Sequence, residues 1–448
     1  MSHILHRHCK SKLPQISHGQ GSYLYDTTGK QYLDACGGAA VSCLGHNAPR
    51  VKQAITEQLD SIPYAHTGFF SNQSSEELAQ LLCGLAPDNL NHAYFVSGGS
   101  EAVESAIKMA RQYFVELGQN SKRHIISRKQ SYHGNTLGAL SVGGNMWRRE
   151  PYEPLLTTSH HISPCYPYRE QYTNESVAEY SERTANELEK RILELGPDSV
   201  MAFIAEPVVG ATSGALVPTE GYFARIREIC TKYNVLLILD EVMCGVGRTG
   251  SFYAFEQENI VPDIVTIAKG LAAGYQAIGA VLVSDQIYQA FHDGSGYFQH
   301  GHTFMAHPMA SAAGVATVKT ILEDHLLEQV RTKGVLLKNT LHERLGELPY
   351  LGDIRGRGLF IGIELVEDRP SKRPYNPQLQ LNKRIKSQAM ANGLMVYPMG
   401  GTIDGKQGDH ILLAPPYIIT EAEIEILVDK LSLTLEQVFS DLPELTHD

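Results

Sequence analysis

Three apolar runs in the middle of the chain carry its most regular pattern: SVMAFIAEPVVG from Ser199, VLLILDEVMCGVGRTG from Val235 and VPDIVTIAKG from Val261. Each predicts a buried strand, because strands of a parallel sheet are covered on both faces and lose the two-residue alternation. The runs end in Glu206, Asp240 and Lys269. Open α/β sheets bind ligands beyond the carboxyl ends of their strands. Two acids and an amine are therefore delivered toward one edge, where desolvated charges need a partner or a use.

The polar stretches on either side of the first run, at 182–195 and 219–233, have the spacing of crossover helices. Upstream, 48–60 predicts a helix with Val51, Ile55 and Leu59 on one face. A second helix runs from Ser74 to Leu85, stopped by Ala86-Pro87-Asp88. The strand AYFV at 93–96 then enters the turn Ser97-Gly98-Gly99-Ser100 and a helix with Ala102, Ala106, Met109 and Ala110 as its apolar positions. HIISRK is the next strand. Tyr23, Tyr25, Tyr32 and Leu33 around the polar turn Asp26–Lys30 predict a hairpin. The stretch Met146–Leu156 holds the only Trp and the pair Arg148/Arg149, and the long, weakly patterned segment that follows, to about Ser181, predicts a surface loop bordering a partner subunit.

After Lys269 come a glycine-rich loop, a strand to Val283 and a long small-residue helix with Pro308 in its first turn, where proline is tolerated. A boundary is expected within 310–330. Amphipathic helices at 326–346 and 380–391, strands LFIGIELV and HILLA, and a last helix at 421–437 follow. That last helix opens with the capping-box spacing Thr420 to Glu423. The whole predicts a large doubly wound α/β unit with a compact α+β tail.

Composition narrows the function classes. The formal charge of -11 gives no electrostatic reason to bind nucleic acid or an anionic membrane. No segment approaches 18 uninterrupted apolar residues, and the basic, polar beginning has no signal-peptide pattern. Seven cysteines, spread singly, predict reduced thiols in a cytoplasmic protein. His3, His6 and His8 suggest a frayed terminus rather than a metal site, and no metal is expected.

The chemistry comes from the strand ends. A lysine amine in apolar surroundings is pushed toward its neutral, nucleophilic form, so Lys269 suits imine formation with an aldehyde. A carboxylate such as Asp240 opposite a pyridine nitrogen keeps it protonated. The Ser/Gly turn at a helix N-terminus offers free N–H groups to a phosphate, or serves as a plain N-cap on a βα crossover. Tyr132, with His133, stands where a strand leaves the sheet and is placed to cover a planar ring. Together these specify pyridoxal 5'-phosphate more naturally than another cofactor.

The motifs YLDACGGAAVSCLGH, SGGSEAVESAIKMAR, SYHG, AEPVVG, LILDEVMCGVGRTG, AKG, GHTF and LAPPYIIT, in this order, resemble the class-III aminotransferases, omega-aminotransferases among them. The resemblance implies fold-type I, a large mostly parallel-sheet domain with a smaller α+β domain. It divides the chain into an N-terminal segment (1–60) at the active-site edge, a cofactor domain (61–320) and a small domain (321–448). It implies an internal aldimine on Lys269, Asp240 at the pyridine nitrogen, and Val242 and Tyr132 on opposite ring faces. It also implies Gly99 and Ser100 at the phosphate, Thr303 reaching phosphate from a neighbouring subunit, supporting hydrogen bonds from Glu206, and His133 among the cofactor-binding residues. A homodimer or dimer-based tetramer with shared sites is expected.

Departures bear on substrate. Family members acting on ornithine or gamma-aminobutyrate place a glutamate just after EPxxG and an arginine shortly before PP. Those places are read here as Ala211 and Leu413. Asn135 stands where ornithine-type enzymes have an arginine, and Ala40 where several amine–pyruvate enzymes have tryptophan. Arg148 and Arg149 form a solvated loop, or supply a cation if that loop folds over the entrance. The expected reaction is ping-pong transfer from an amine or omega-amino acid to a 2-oxo acid such as pyruvate. The alternatives are an aminomutase, a decarboxylating transaminase or a non-catalytic binding protein on this fold.

Overall fold

The computed structural model describes residues 3–442; Met1, Ser2 and residues 443–448, the ends of the first and last expected segments, lie outside them. The central sheet has seven strands in the order His92–Val96, Gly279–Val283, Ile264–Ile267, Leu236–Asp240, Val200–Ala205, His124–Arg128 and His160–Ile162. Gly279–Val283 runs antiparallel to both its neighbours. The remaining pairs are parallel.

The three apolar runs occupy the middle of this sheet, and every residue of those strands is buried. Neighbouring side chains leave a strand on opposite faces, which separates them into two cores. Phe203, Leu237, Leu239 and Val265 pack on one side with Tyr180, Leu188 and Phe223. Ala202, Ile204, Leu236 and Ile238 pack on the other against Ala106, Met109 and Phe114 of the helix Gly99–Glu116.

The expected hairpin is present: Tyr23–Asp26 pairs with Gln31–Asp34, and the Asp26 carboxylate accepts from the amides of Thr28 and Lys30 to hold the turn. An edge strand, Ile16–Gln20, and the late strand Leu394–Met395 complete that sheet, so the beginning and end of the chain share it. A third, antiparallel sheet joins Leu351–Arg357, Phe360–Leu365, Asp409–Leu413 and Tyr397–Gly400. Helices Leu326–Leu345, Leu381–Ala391 and Glu421–Ser440 accompany it, the last with the Thr420–Glu423 capping box formed.

Several local expectations change. The first helix runs Pro49–Ser61, but Leu59 is 51% exposed while Val51 is buried, so the buried face is narrower than its apolar spacing suggested. The stretch after Asn145 is not one loop. Met146–Arg149 is a short helix followed by a 3-10 turn Glu150–Leu155, and the segment expected as a loop holds the edge strand His160–Ile162, a turn of helix Pro167–Glu170 and the start of helix Val177–Leu195. Such short elements have too few residues for a period to show.

Candidate active site

A cavity of ≈ 500 Å³ lies beyond the carboxyl ends of the central strands. Gly99, Ser100, Tyr132, His133, Glu206, Asp240, Val242 and Lys269 all line it, so the structure brings together eight residues singled out from sequence.

Asp240 is the last residue of its strand, and three groups hold its carboxylate. His133 Nδ1 donates to Oδ2 at 2.7 Å, and the Val242 amide and Thr266 hydroxyl donate to Oδ1 at 3.1 and 3.2 Å. The His133 ring is fully buried within this contact, and its Nε2 has no hydrogen-bond partner among the described residues. Thr266 was not singled out; its signal was a lone polar residue in the apolar strand IVTI.

Lys269 does not end its strand, which stops at Ile267. It sits two residues further on with φ 48, a left-handed conformation that costs a side-chain-bearing residue energy and marks functional sites. Burial lowers the pKa of its amine, with Asp240 and Glu206 opposing that shift and Arg148 adding to it. Glu206, directly after its strand, accepts from the amides of Tyr132 at 3.0 Å and Gly210 at 2.9 Å, tying two loops together. Burial pushes its carboxyl pKa up, partly offset by His133. The Arg128 guanidinium donates to the Glu206 carbonyl, a contact the sequence did not announce.

The helix Gly99–Glu116 points its N-terminus into the cavity, where first-turn amides have no intrahelical acceptor. Ser100 Oγ accepts from the Asn135 amide at 3.0 Å. The floor is cut close: a Cβ at Gly99 would lie 2.6 Å from Val242 Cγ1, and one at Gly134, which has φ 130, would lie 2.7 Å from Ser100 Oγ. Both glycines are thus required by space, and Gly134 by backbone as well.

The residues read as substrate contacts divide. Ala40 and Ala211 share a small buried cluster with Met243, which lines the cavity, and with Leu412. Leu413 does not belong there. It pairs with Ile361 and is buried in the main core, while Leu412 takes the place assigned to it beside Ala211. Consecutive strand residues face opposite sides, so the reading from the PP dipeptide was one residue out of step.

The arginine pair also corrects the solvated-loop expectation. Arg149 is 5% exposed and donates to the carbonyls of Leu140, Ser141 and Gly143, which makes it a structural staple rather than a substrate contact. Arg148 lies over the Tyr132 ring, 4.5 Å from its centroid. Thr303 is outside the cavity of its own chain, exposed, with its carbonyl accepting from Tyr64 Oη at 2.9 Å. Among the described residues there is no cluster of His, Cys, Asp and Glu that could hold a metal, and no helix long and apolar enough to cross a membrane.

The family model for class-III aminotransferases matches residues 6–435. An uncharacterized aminotransferase of Schizosaccharomyces pombe is 44% identical over 431 residues, 96% of this chain and 94% of the relative. Gamma aminobutyrate transaminase 3 of Solanum lycopersicum is 35% identical, over 96% of this chain and 82% of its own. The omega transaminase of Pseudomonas jessenii in complex with PMP superposes with a TM-score of 0.92 at 32% identity, covering 98% of this chain and 96% of that one. The fold is that of the fold-type I pyridoxal-phosphate transferases, and the chain belongs to the class-III aminotransferase family.

Proposed function

We propose that the chain transfers an amino group from a primary amine or omega-amino acid to a 2-oxo acid such as pyruvate, in two half-reactions at the ≈ 500 Å³ cavity. The observation that carries this reading is one cavity lined by a buried amine of lowered pKa, a held carboxylate and a helix N-terminus.

The donor set fits pyridoxal phosphate. The Gly99–Ser100 amides suit its phosphate, the Asp240 carboxylate its ring nitrogen, and Tyr132 and Val242 its ring, while the close approach at Gly99 leaves the floor free of side chain. When bound, the cofactor supplies an aldehyde for the amine and a protonated ring that accepts an electron pair.

The protein's own groups do the rest. Lys269 Nζ, kept toward its neutral form by burial, would take the proton from the donor's amine-bearing carbon and pass it on within the first half-reaction, and in the second would deliver a proton to the acceptor's carbon. His133 Nδ1, the Val242 amide and the Thr266 hydroxyl orient Asp240 and disperse its charge. Glu206 fixes the loops bearing Tyr132 and Gly210. The cluster of Ala40, Ala211 and Leu412, which meets the cavity through Met243, contributes no cation, so donors with a neutral far end are favoured over ornithine, glutamate and gamma-aminobutyrate. The relative named for gamma-aminobutyrate makes that donor the sharpest competitor.

A homodimer is part of the reading. Phe304, next to Thr303, is 58% exposed, and Phe69 and Phe70 are 80% and 69% exposed, apolar surface suited to a second copy of the chain. Sedimentation as a monomer at micromolar concentration would remove that part.

The direct test mixes cofactor-loaded protein with 1-phenylethylamine, beta-alanine, gamma-aminobutyrate or ornithine and no acceptor. About one equivalent of carbonyl product per subunit should appear in a single turnover, and pyruvate should restart release. Lys269→Ala should abolish both. Isomerised donor or released CO2 in place of carbonyl product would transfer the reading to an aminomutase or a decarboxylating enzyme.

A further inference from the structure

Only one member of the apolar cluster beside the site reaches the chemistry. Met243 lines the reaction cavity, while Ala40, Ala211, Phe360 and Leu412, which share its cluster, do not. Among the apolar side chains on the cavity wall it is the one that is long and unbranched. A thioether with three rotatable bonds repacks at little cost. Its backbone has no such freedom. The Val242 amide donates to Asp240 Oδ1 at 3.1 Å, and the Gly245 amide to the Glu241 carbonyl at 2.9 Å. The Glu241 carboxylate in turn accepts from the amides of Ala254 and Phe255, both at 2.7 Å. A change of shape at this wall therefore falls to the Met243 side chain alone.

Gly210 faces the same thioether. A Cβ there would overlap Met243 Sδ and stand 3.2 Å from its Cγ. The sulfur, not the backbone, requires this glycine, because its φ lies outside the left-handed region. The Gly210 amide donates to Glu206 Oε2 at 2.9 Å, and its carbonyl accepts from the Gly214 amide at 2.9 Å, so it too is fixed in place. Met243 thus has a pinned glycine on one side and the cavity on another, among small side chains that leave it room to turn.

We propose that Met243 sets the size of the amine donor: its thioether closes the Ala40, Ala211 and Leu412 cluster off from the reaction cavity and turns aside for a bulky aryl group. This inference rests on the aminotransferase reading and deepens it by naming what limits the donor. The alanines alone do not make a wide pocket, since neither reaches the cavity past the methionine.

The proposal fixes two opposite signs. Met243→Ala uncovers the cluster, and Gly210→Ala pushes the thioether into the cavity while keeping the amide that Glu206 accepts from. The experiment uses cofactor-loaded protein and two donors, 1-phenylethylamine and the larger 1-(2-naphthyl)ethylamine, each timed by single-turnover carbonyl release. The ratio of naphthyl to phenyl kcat/KM cancels general damage to the site. It should rise about 10- to 100-fold in Met243→Ala and fall about 10-fold in Gly210→Ala, the span that one methylene of fit covers in an apolar pocket. Should Gly210→Ala not fold, Met243→Phe supplies the closing arm, with the same fall expected.

The alcohols 1-phenylethanol and 1-(2-naphthyl)ethanol have the donors' shapes without the reacting nitrogen. Their affinities, measured by calorimetry, should shift in the same two directions. A ratio that is unchanged or reversed in either the opening or the closing variant would overturn the proposal and leave Met243 a packing residue. If the wild type releases no carbonyl product from any donor, the aminotransferase reading fails by itself. Alcohol binding still decides Met243 in that case: opposite shifts in the two variants support the size gate, and any other pattern overturns it.

Discussion

Replacing Gly99 by alanine separates packing at the cavity floor from helix propensity, because the two predict opposite signs. Gly99 opens the helix that ends at Glu116, where alanine is normally the better helix former by about 1 kcal/mol. In this fold the added carbon would stand 2.6 Å from Val242 Cγ1 and 3.0 Å from Cγ2. Carbon atoms settle at about 3.5–4 Å, so one side must retreat by roughly 1 Å. Val242 cannot retreat freely, since its amide donates to Asp240 Oδ1 at 3.1 Å. Either the helix N-terminus or the Asp240 loop shifts. Overpacking of this kind costs about 1–3 kcal/mol. Expressed in cofactor binding, that is a loss of about 5- to 150-fold in affinity. Titrating apoprotein with pyridoxal phosphate, following the visible absorption of the bound cofactor, measures it. The double variant Gly99→Ala/Val242→Ala removes both γ carbons and should recover at least about 1 kcal/mol of coupling. Affinity within twofold of wild type, or strict additivity in the double variant, would refute the steric argument.

Two further predictions use the same neighbourhood. Asp240→Asn keeps the side-chain shape but removes the charge that His133 Nδ1 serves; single-turnover carbonyl release should slow by about 10²- to 10³-fold with cofactor still bound, and an unchanged rate would take Asp240 out of its role. Burial, reinforced by Arg355, pushes His410 down to about 3, so between that value and about 6.5 the unfolded chain binds a proton that the folded chain refuses. Its contribution to stability is complete above pH 6.5 and declines as the pH falls, by about 2 kcal/mol at pH 5. Urea unfolding at pH 7.5 and 5.0 should show that decline in the wild type and a shallower one in His410→Asn; equal declines would refute it.

What the sequence disclosed follows from how each feature is encoded. A strand covered on both faces must be apolar throughout, so Val200–Ala205, Leu236–Asp240 and Ile264–Ile267 stood out along with the charged residues that follow them. The same continuity conceals orientation. In HILL nothing in the pattern says which leucine faces Ala211, and only the pairing of Leu412 with Gly362 and of Leu413 with Ile361 decides it. Strand direction was hidden for a related reason: the reversed strand Gly279–Val283 is as apolar as its parallel neighbours.

The arginine pair shows the limit most sharply. Arg148 and Arg149 have the same charge and adjacent positions, so composition cannot separate them. On the short helix Met146–Arg149, successive side chains diverge by about 100°. That rotation sends Arg149 inward to three carbonyls and lays Arg148 on the Tyr132 ring. One guanidinium is consumed by the fold's carbonyls, and the other lies on the ring that lines the cavity. A reading that treats them as interchangeable surface cations misses both roles, because the distinction lies in the backbone turn and not in the residue type.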